Sequence, residues 1–138
     1  MIGGDAMKRI LALILALFLP ALPALCETEE KAQPAGYVLV NAAGLAGWLP
    51  LPAEGEESFP IPQTLPDGTE TLNVLHLTSE GMWMEDATCE GHDCIEQGEV
   101  TFENRYERIL GNMIICLPNQ LVLELYTAEE YAAMTAGR

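Results

Sequence analysis

Five prolines between positions 50 and 66 constrain what the middle of this 138-residue chain can form. Proline lacks a backbone N–H and fixes φ, so neither a helix interior nor an inner strand of a sheet accommodates it. We expect short extended pieces that end at the turn Pro66-Asp67-Gly68, because proline and glycine favour turn positions. The prolines are Pro50, Pro52, Pro60, Pro62 and Pro66. The pattern excludes helices from this segment and favours strands.

Apolar and β-branched residues predict strands on both sides of the prolines. Tyr37–Val40 is a short apolar run, and Thr71–Leu77 alternates before a turn leads into Met82–Met84. A second hairpin is predicted from Asn112–Leu117 and Gln120–Tyr126, in which leucines alternate with more polar residues. About six or seven short strands joined by turns predict an all-β fold, a small antiparallel barrel or sandwich.

The ends of the chain differ from this β-rich centre. Thr127 and Glu130 have the spacing of a capping box, which predicts a short helix within residues 127–138. The acidic segment 27–36 contains proline and glycine and is predicted to be a disordered tether. The length allows one small domain, which we place at residues 37–126.

Residues 1–26 have the pattern of an export signal. Lys8 and Arg9 precede the apolar run Ile10–Leu19, and Pro20 then leads to a region with small residues. Small residues at the required positions predict cleavage before Glu27, whereas acylation of Cys26 or an uncleaved anchor are the alternatives. All three place the domain outside the cytoplasm, secreted or anchored to the outer side of the cytoplasmic membrane.

Net charge limits the partners of the exported chain. Residues 27–138 carry 20 acidic and four basic side chains, a formal charge of −16, and no basic residue lies between Ala32 and Asn104. Binding to nucleic acid or to an anionic membrane face depends on Lys and Arg that neutralise phosphates. We therefore expect no nucleic-acid partner, and membrane contact only through the N-terminal segment.

Three cysteines remain in the predicted mature chain: Cys89, Cys94 and Cys116. Gly91 allows a sharp turn between Cys89 and Cys94, so a local disulfide is one interpretation, with a contribution of about 2 kcal/mol on the chain-entropy model. Cys116 lies in an apolar strand, where a cysteine is commonly a small buried hydrophobe.

Two further interpretations join these cysteines into a functional site. The three thiols could converge with His92 as a Cys3His set for a tetrahedral metal ion such as zinc. Thiol–disulfide exchange is the other interpretation, but nearby negative charge disfavours the thiolate that it requires. The acidic neighbours are Asp86, Glu90, Asp93 and Glu96.

The same segments carry a family resemblance. They read Asn73-Val-Leu-His-Leu77, Ala87-Thr88-Cys89, Cys94-Ile-Glu-Gln-Gly98 and Ile114-Ile-Cys116-Leu-Pro-Asn119. From about Tyr37 to Tyr126 the chain resembles the NusG domain II family, in which Cys-x4-Cys is combined with a distant Cys-Leu-Pro-Asn. Two features depart from that pattern: Glu90-Gly91 replaces the usual Pro-Asp, and residues 101–110 form a longer connection. The resemblance implies a small all-β, barrel-like domain.

Catalytic residue types are scarce in the exported segment. Its two serines and two histidines are Ser58, Ser79, His76 and His92, so a Ser-His-Asp site would require nearly all of them to converge. We expect His76 to be a hydrogen-bonded structural histidine. The sequence therefore favours a non-enzymatic binding or accessory module of the cell envelope, with no cofactor and with an envelope protein or ligand as partner. The alternative is a cysteine-centred zinc or redox protein.

Overall fold

The computed structural model describes residues 31–138. They form two four-stranded antiparallel sheets. In spatial order the first sheet contains β2 (Leu45–Pro50), β1 (Gly36–Ala42), β8 (Leu121–Thr127) and β7 (Met113–Cys116). The second contains β3 (Glu56–Thr64), β4 (Glu70–Thr78), β5 (Gly81–Ala87) and β6 (Val100–Thr101). The fold also contains two short helices, α1 (Asp93–Glu96) and α2 (Ala128–Thr135), and a 3₁₀ turn (Asn104–Tyr106).

The predicted all-β class is confirmed, and the two sheets form a sandwich-like arrangement without a closed barrel. The described residues contain eight strands where about six or seven were expected. Strand β6 has two residues and is too short to show a periodic pattern in the sequence. The export signal at residues 1–26, acylation at Cys26 and most of the acidic part of the tether lie outside the described residues and stay predictions.

Both sheets contribute apolar side chains to one core. Alternation in β8 buries Leu121, Leu123 and Leu125 completely, as their shared face in the sequence predicts. The second sheet adds Leu75 and Leu77 from β4, which are also fully buried. Because burial of one leucine side chain contributes about 1.5–3 kcal/mol, these alternating residues determine which face of each strand turns inward.

Strand β3 shows how the chain accommodates its prolines. It pairs only with β4, so one of its edges has no strand partner. Pro60 and Pro62 are two residues apart and therefore lie on the same side of the strand. Only one edge of β3 forms hydrogen bonds with a neighbouring strand. The missing N–H groups of these prolines are tolerated on the other edge, where they remove no hydrogen bond of the sheet. Around Pro60 and Pro62, where the sequence predicted short extended pieces, the chain forms one nine-residue strand.

The C-terminal helix begins as predicted. The Thr127 hydroxyl accepts a hydrogen bond from the Glu130 backbone N–H, and the Glu130 carboxylate accepts one from the Thr127 backbone N–H at 2.8 Å. This reciprocal capping box satisfies N–H groups that a helix start leaves without partners.

Two long-range polar contacts fasten the connections to the sheets. The Asn119 side-chain amide donates to Asn73 Oδ1 at 2.8 Å, which joins the β7–β8 turn to β4 in a buried position. Arg105 is 8% exposed and donates to both carboxylate oxygens of Glu130, at 2.7 and 2.9 Å. This pair holds the 3₁₀ turn against the start of α2, and the hydrogen bonds from Arg105 lower the pKa of Glu130.

No helix among residues 31–138 has the length and apolar character needed to cross a bilayer.

Candidate functional site

The structure brings Cys89, Cys94 and Cys116 together. Their sulfur atoms all lie within 4.8 Å of one another, and Cys89 Sγ is 3.5 Å from Cys94 Sγ. All three are buried and unbonded. We call this group the three-cysteine cluster.

A tight turn places the first two sulfur atoms. Cys89 follows the end of β5, and the chain then reverses through Gly91 and His92, which have positive φ angles of 86° and 56°. Helix α1 starts immediately afterwards and directs Cys94 into the core. Glycine adopts this left-handed conformation without steric cost, so Gly91 is what allows the two cysteines to face each other.

Gln97 joins this turn to the strand that carries Cys116. Its side-chain amide donates to the Ile115 carbonyl at 2.7 Å and accepts from the Ile115 N–H at 2.8 Å. The glutamine side chain therefore satisfies both backbone groups of Ile115, in the manner of a neighbouring strand. Because Ile115 precedes Cys116, this pair of bonds positions Cys116 relative to Cys94.

Arg108 supports the same region from the long connection after β6. Its guanidinium donates to three backbone carbonyls, those of Gly111 at 2.7 Å, Met113 at 3.0 Å and Gln97 at 2.9 Å. The contacts tie the connection, the end of α1 and the start of β7 into one unit. Burial lowers the pKa of this guanidinium, which still keeps its charge at any neutral pH.

A cavity of about 280 Å³ opens beside the three-cysteine cluster. Apolar side chains form much of its wall, and Glu90 and Asp93 add two carboxylates; no Lys or Arg is among the residues that line it. We call it the cysteine cavity. Its lining residues are Cys89, Glu90, Asp93, Cys94, Gln97, Leu110, Ile115, Cys116, Leu117 and Pro118.

Burial favours the protonated form of two thiols that line this cavity, those of Cys89 and Cys94. Desolvation is the main cause that raises the pKa of Cys89. Desolvation also raises the pKa of Cys94, and there the sulfur atoms of Cys89 and Cys116 add to the effect. A thiolate is the reactive form of cysteine in nucleophilic and exchange chemistry. Burial therefore disfavours the reactive form of Cys89 and of Cys94.

His92 does not join the three sulfur atoms. It is exposed, and its backbone carbonyl accepts the Ile95 N–H at 2.9 Å as α1 begins. Among the residues that the structure describes, the group of possible metal ligands at this place contains the three cysteines alone. Three of the four residues of the predicted Cys3His set are thus brought together.

His76 is hydrogen-bonded, as expected, on the opposite face of β4 from the core. Its Nε2 lies 3.2 Å from Glu56 Oε2, and its Nδ1 lies 3.3 Å from Glu85 Oε2. The Ser58 hydroxyl donates to the same Glu85 oxygen at 2.6 Å. The Ser58 hydroxyl oxygen also lies 3.4 Å from His76 Nδ1, so the serine, the histidine and the two glutamates form one hydrogen-bonded group on this face of the sheet.

Gln97 and Arg108 were not among the residues predicted from the sequence to belong to the site. Nothing in the local pattern distinguishes Gln97, whose partner Ile115 is 18 residues away. The composition does single out Arg108, because Arg108 and Arg105 are two of only four basic residues after position 26. In so acidic a chain, two arginines in one connection indicate specific internal partners.

The fold of this chain is similar to that of a solved structure. The Lin0431 protein from Listeria innocua has a crystal structure that is 17% identical with a TM-score of 0.52, covering 67% of this chain and 97% of that one. A DUF1312 family protein from Ruminococcus gnavus ATCC 29149 is 26% identical with a TM-score of 0.40, covering 65% and 96%. No curated protein matches the sequence. The family model described as NusG domain II matches residues 9–129, so this chain belongs to the NusG domain II family.

Proposed function

We propose that this chain is an exported, non-enzymatic binding or accessory module of the cell envelope, and that its binding site is the cysteine cavity. The observation that carries the proposal is a concave site of about 280 Å³ in which apolar walls surround three buried cysteines. Small-molecule sites are commonly concave and mainly apolar, with a few polar groups. Such a site favours binding over catalysis.

Export is supported by the N-terminal pattern and by the charge. A basic pair followed by ten apolar residues and a proline is typical of secretory signals. The strongly acidic remainder disfavours nucleic acid as a partner, which separates this chain from a role in transcription.

The location is tested by expressing the full chain in a bacterial host with an epitope after Arg138. We expect the epitope to be digested by protease added to intact spheroplasts, and mass spectrometry to show a mature N-terminus at Glu27 or a lipid on Cys26. A matched control lacks residues 10–19 and stays protected from protease. Protection of the unaltered chain, with Met1 or Met7 still at its N-terminus, would contradict export.

The three-cysteine cluster supports a second candidate function, which is binding of a zinc ion. Tetrahedral zinc with Zn–S distances of about 2.3 Å holds its sulfur ligands about 3.8 Å apart. The three sulfur atoms here lie within 4.8 Å of one another, and one pair is 3.5 Å apart. Small side-chain movements suffice for all three to reach one ion. Binding would release the thiol protons to solvent, as metal coordination by cysteine requires.

A disulfide between Cys89 and Cys94 is the competing use of the same atoms. Thiol counting and metal analysis of the exported protein separate the two. One equivalent of zinc with three thiols titratable after chelation supports the zinc candidate. One bridge that resists mild reductant, with no metal, supports a structural staple and leaves the cavity as an apolar binding site. Reversible exchange with a dithiol at neutral pH would instead support redox function, against the raised thiol pKa values.

A further inference from the structure

The three-cysteine cluster provides three ligands where zinc takes four. Among the described residues, no imidazole or carboxylate joins the sulfur atoms within 4.8 Å. Structural zinc sites are closed by four protein ligands, whereas sites with three protein ligands keep one position for water or substrate. The missing ligand therefore decides what kind of site this is.

The open position faces the cysteine cavity, because all three cysteines line that cavity. His92 is on the exposed side of the turn, with its backbone held by the start of α1. Gln97 lines the cavity but uses both atoms of its amide on Ile115. The described residues thus leave the fourth position to a molecule that enters from solvent.

We propose that the cluster forms an open thiolate–zinc site whose fourth position binds a small thiol that carries an amino group. The inference rests on the zinc candidate described above. In the exchange, zinc-bound water leaves, the incoming thiol releases its proton to solvent, and its sulfur donates an electron pair to the ion. No oxidation or reduction takes place.

The cavity wall accounts for each part of this ligand. A soft sulfur donor matches a zinc ion that is already held by thiolates. Leu110, Leu117 and Pro118 provide apolar contact for a short carbon chain. The Glu90 and Asp93 carboxylates attract a positive group, and no basic residue lines the cavity to repel one. The volume of about 280 Å³ limits the ligand to a small molecule.

The test uses the exported, reduced protein loaded with one equivalent of Co²⁺ in place of zinc, since the visible bands of tetrahedral Co²⁺ report its ligands. Three thiols of similar size and different charge are titrated: cysteamine, 2-mercaptoethanol and thioglycolate. We expect each to shift the bands, with cysteamine binding about tenfold tighter than 2-mercaptoethanol and thioglycolate weakest, as two nearby carboxylates imply.

Variants assign the preference to the cavity. The double variant E90Q/D93N should reduce the preference for cysteamine over 2-mercaptoethanol about fivefold relative to the unaltered protein, because both carboxylates are lost. The comparison between variants cancels the different acidities of the two free thiols. E96Q, a matched change in α1 outside the cavity lining, should keep the tenfold difference. H92A should leave the cobalt spectrum unchanged.

The outcomes are distinguishable. Failure to bind Co²⁺ or Zn²⁺ at one equivalent overturns both the zinc candidate and this inference. A second outcome is that the metal binds, that none of the three thiols changes the cobalt spectrum, and that the H92A substitution does change it. This outcome overturns only the inference and assigns a closed Cys3His site. Metal binding with equal affinity for the three thiols overturns the proposed charge preference of the ligand.

Discussion

Replacement of Gln97 by alanine tests whether the three-cysteine cluster is positioned by the contact between α1 and β7. The change removes two partly buried hydrogen bonds, at 2.7 and 2.8 Å, and leaves the Ile115 N–H and carbonyl without protein partners. Each such bond contributes about 1 kcal/mol net. We therefore expect the free energy of unfolding to fall by about 2 kcal/mol.

The same loss should appear in the reactivity of the buried thiols. Labelling of the reduced, folded protein requires local opening, and a change of about 2 kcal/mol raises the opened population about 30-fold. Stopped-flow labelling with a chromogenic disulfide measures the rate, and urea unfolding followed by tryptophan fluorescence measures stability.

Two controls separate the hydrogen bonds from other effects. Q97M keeps most of the side-chain volume but neither polar atom, so it should resemble Q97A. Q33A makes the same glutamine-to-alanine change at an exposed residue outside the strands, and it should resemble the unaltered protein. If Q97A and Q97M both unfold and label like Q33A, the proposed positioning role of Gln97 is wrong.

Other contacts give predictions of the same kind. R105M should lower the free energy of unfolding by about 2 kcal/mol in urea titrations, because Glu130 loses its charged partner at a partly exposed site. The lowered pKa of Glu130 stabilises the fold above its ordinary value of 4.5, and this stability is lost as pH falls through the lowered value. As pH falls, the free energy of unfolding of R105M should therefore decrease less steeply than that of the unaltered protein. Equal pH dependence of the two proteins would contradict the pairing of Arg105 with Glu130. N119A should cost about 1–3 kcal/mol in thermal and urea unfolding, because Asn73 Oδ1 stays buried without its donor; an unchanged unfolding midpoint would show that the contact is dispensable.

The fold class was predictable because its determinants are local. Prolines exclude a helix interior wherever they stand, and alternation along Leu121–Tyr126 identifies the buried face before any partner strand is known. The capping box at Thr127 depends on residues three apart, so the start of α2 was also visible in the sequence. In the proline-rich segment only the length of the strand was wrongly predicted. Strand β3 runs through Pro60 and Pro62 without a break, because an edge strand tolerates prolines that an inner strand does not.

The candidate site was only partly predictable. Cys89 and Cys94 are close because only four residues lie between them and one of these is the glycine of a turn, which the spacing itself indicates. Whether Cys116 approaches them depends on how β7 packs against α1, and this is decided by Gln97 and Arg108 through partners elsewhere in the chain. His92 was included for its chemistry and its position in the loop, but the left-handed turn leaves it exposed.

The β class, the start of the C-terminal helix, the acidic character and the pattern of an export signal can all be read from the sequence, since each follows from neighbouring residues or from composition. The meeting of three sulfur atoms beside a cavity, with no histidine joining them among the described residues, became visible only in the folded chain. These placements depend on packing and on hydrogen bonds between residues 18 to 46 positions apart, which leave no periodic signal in the sequence.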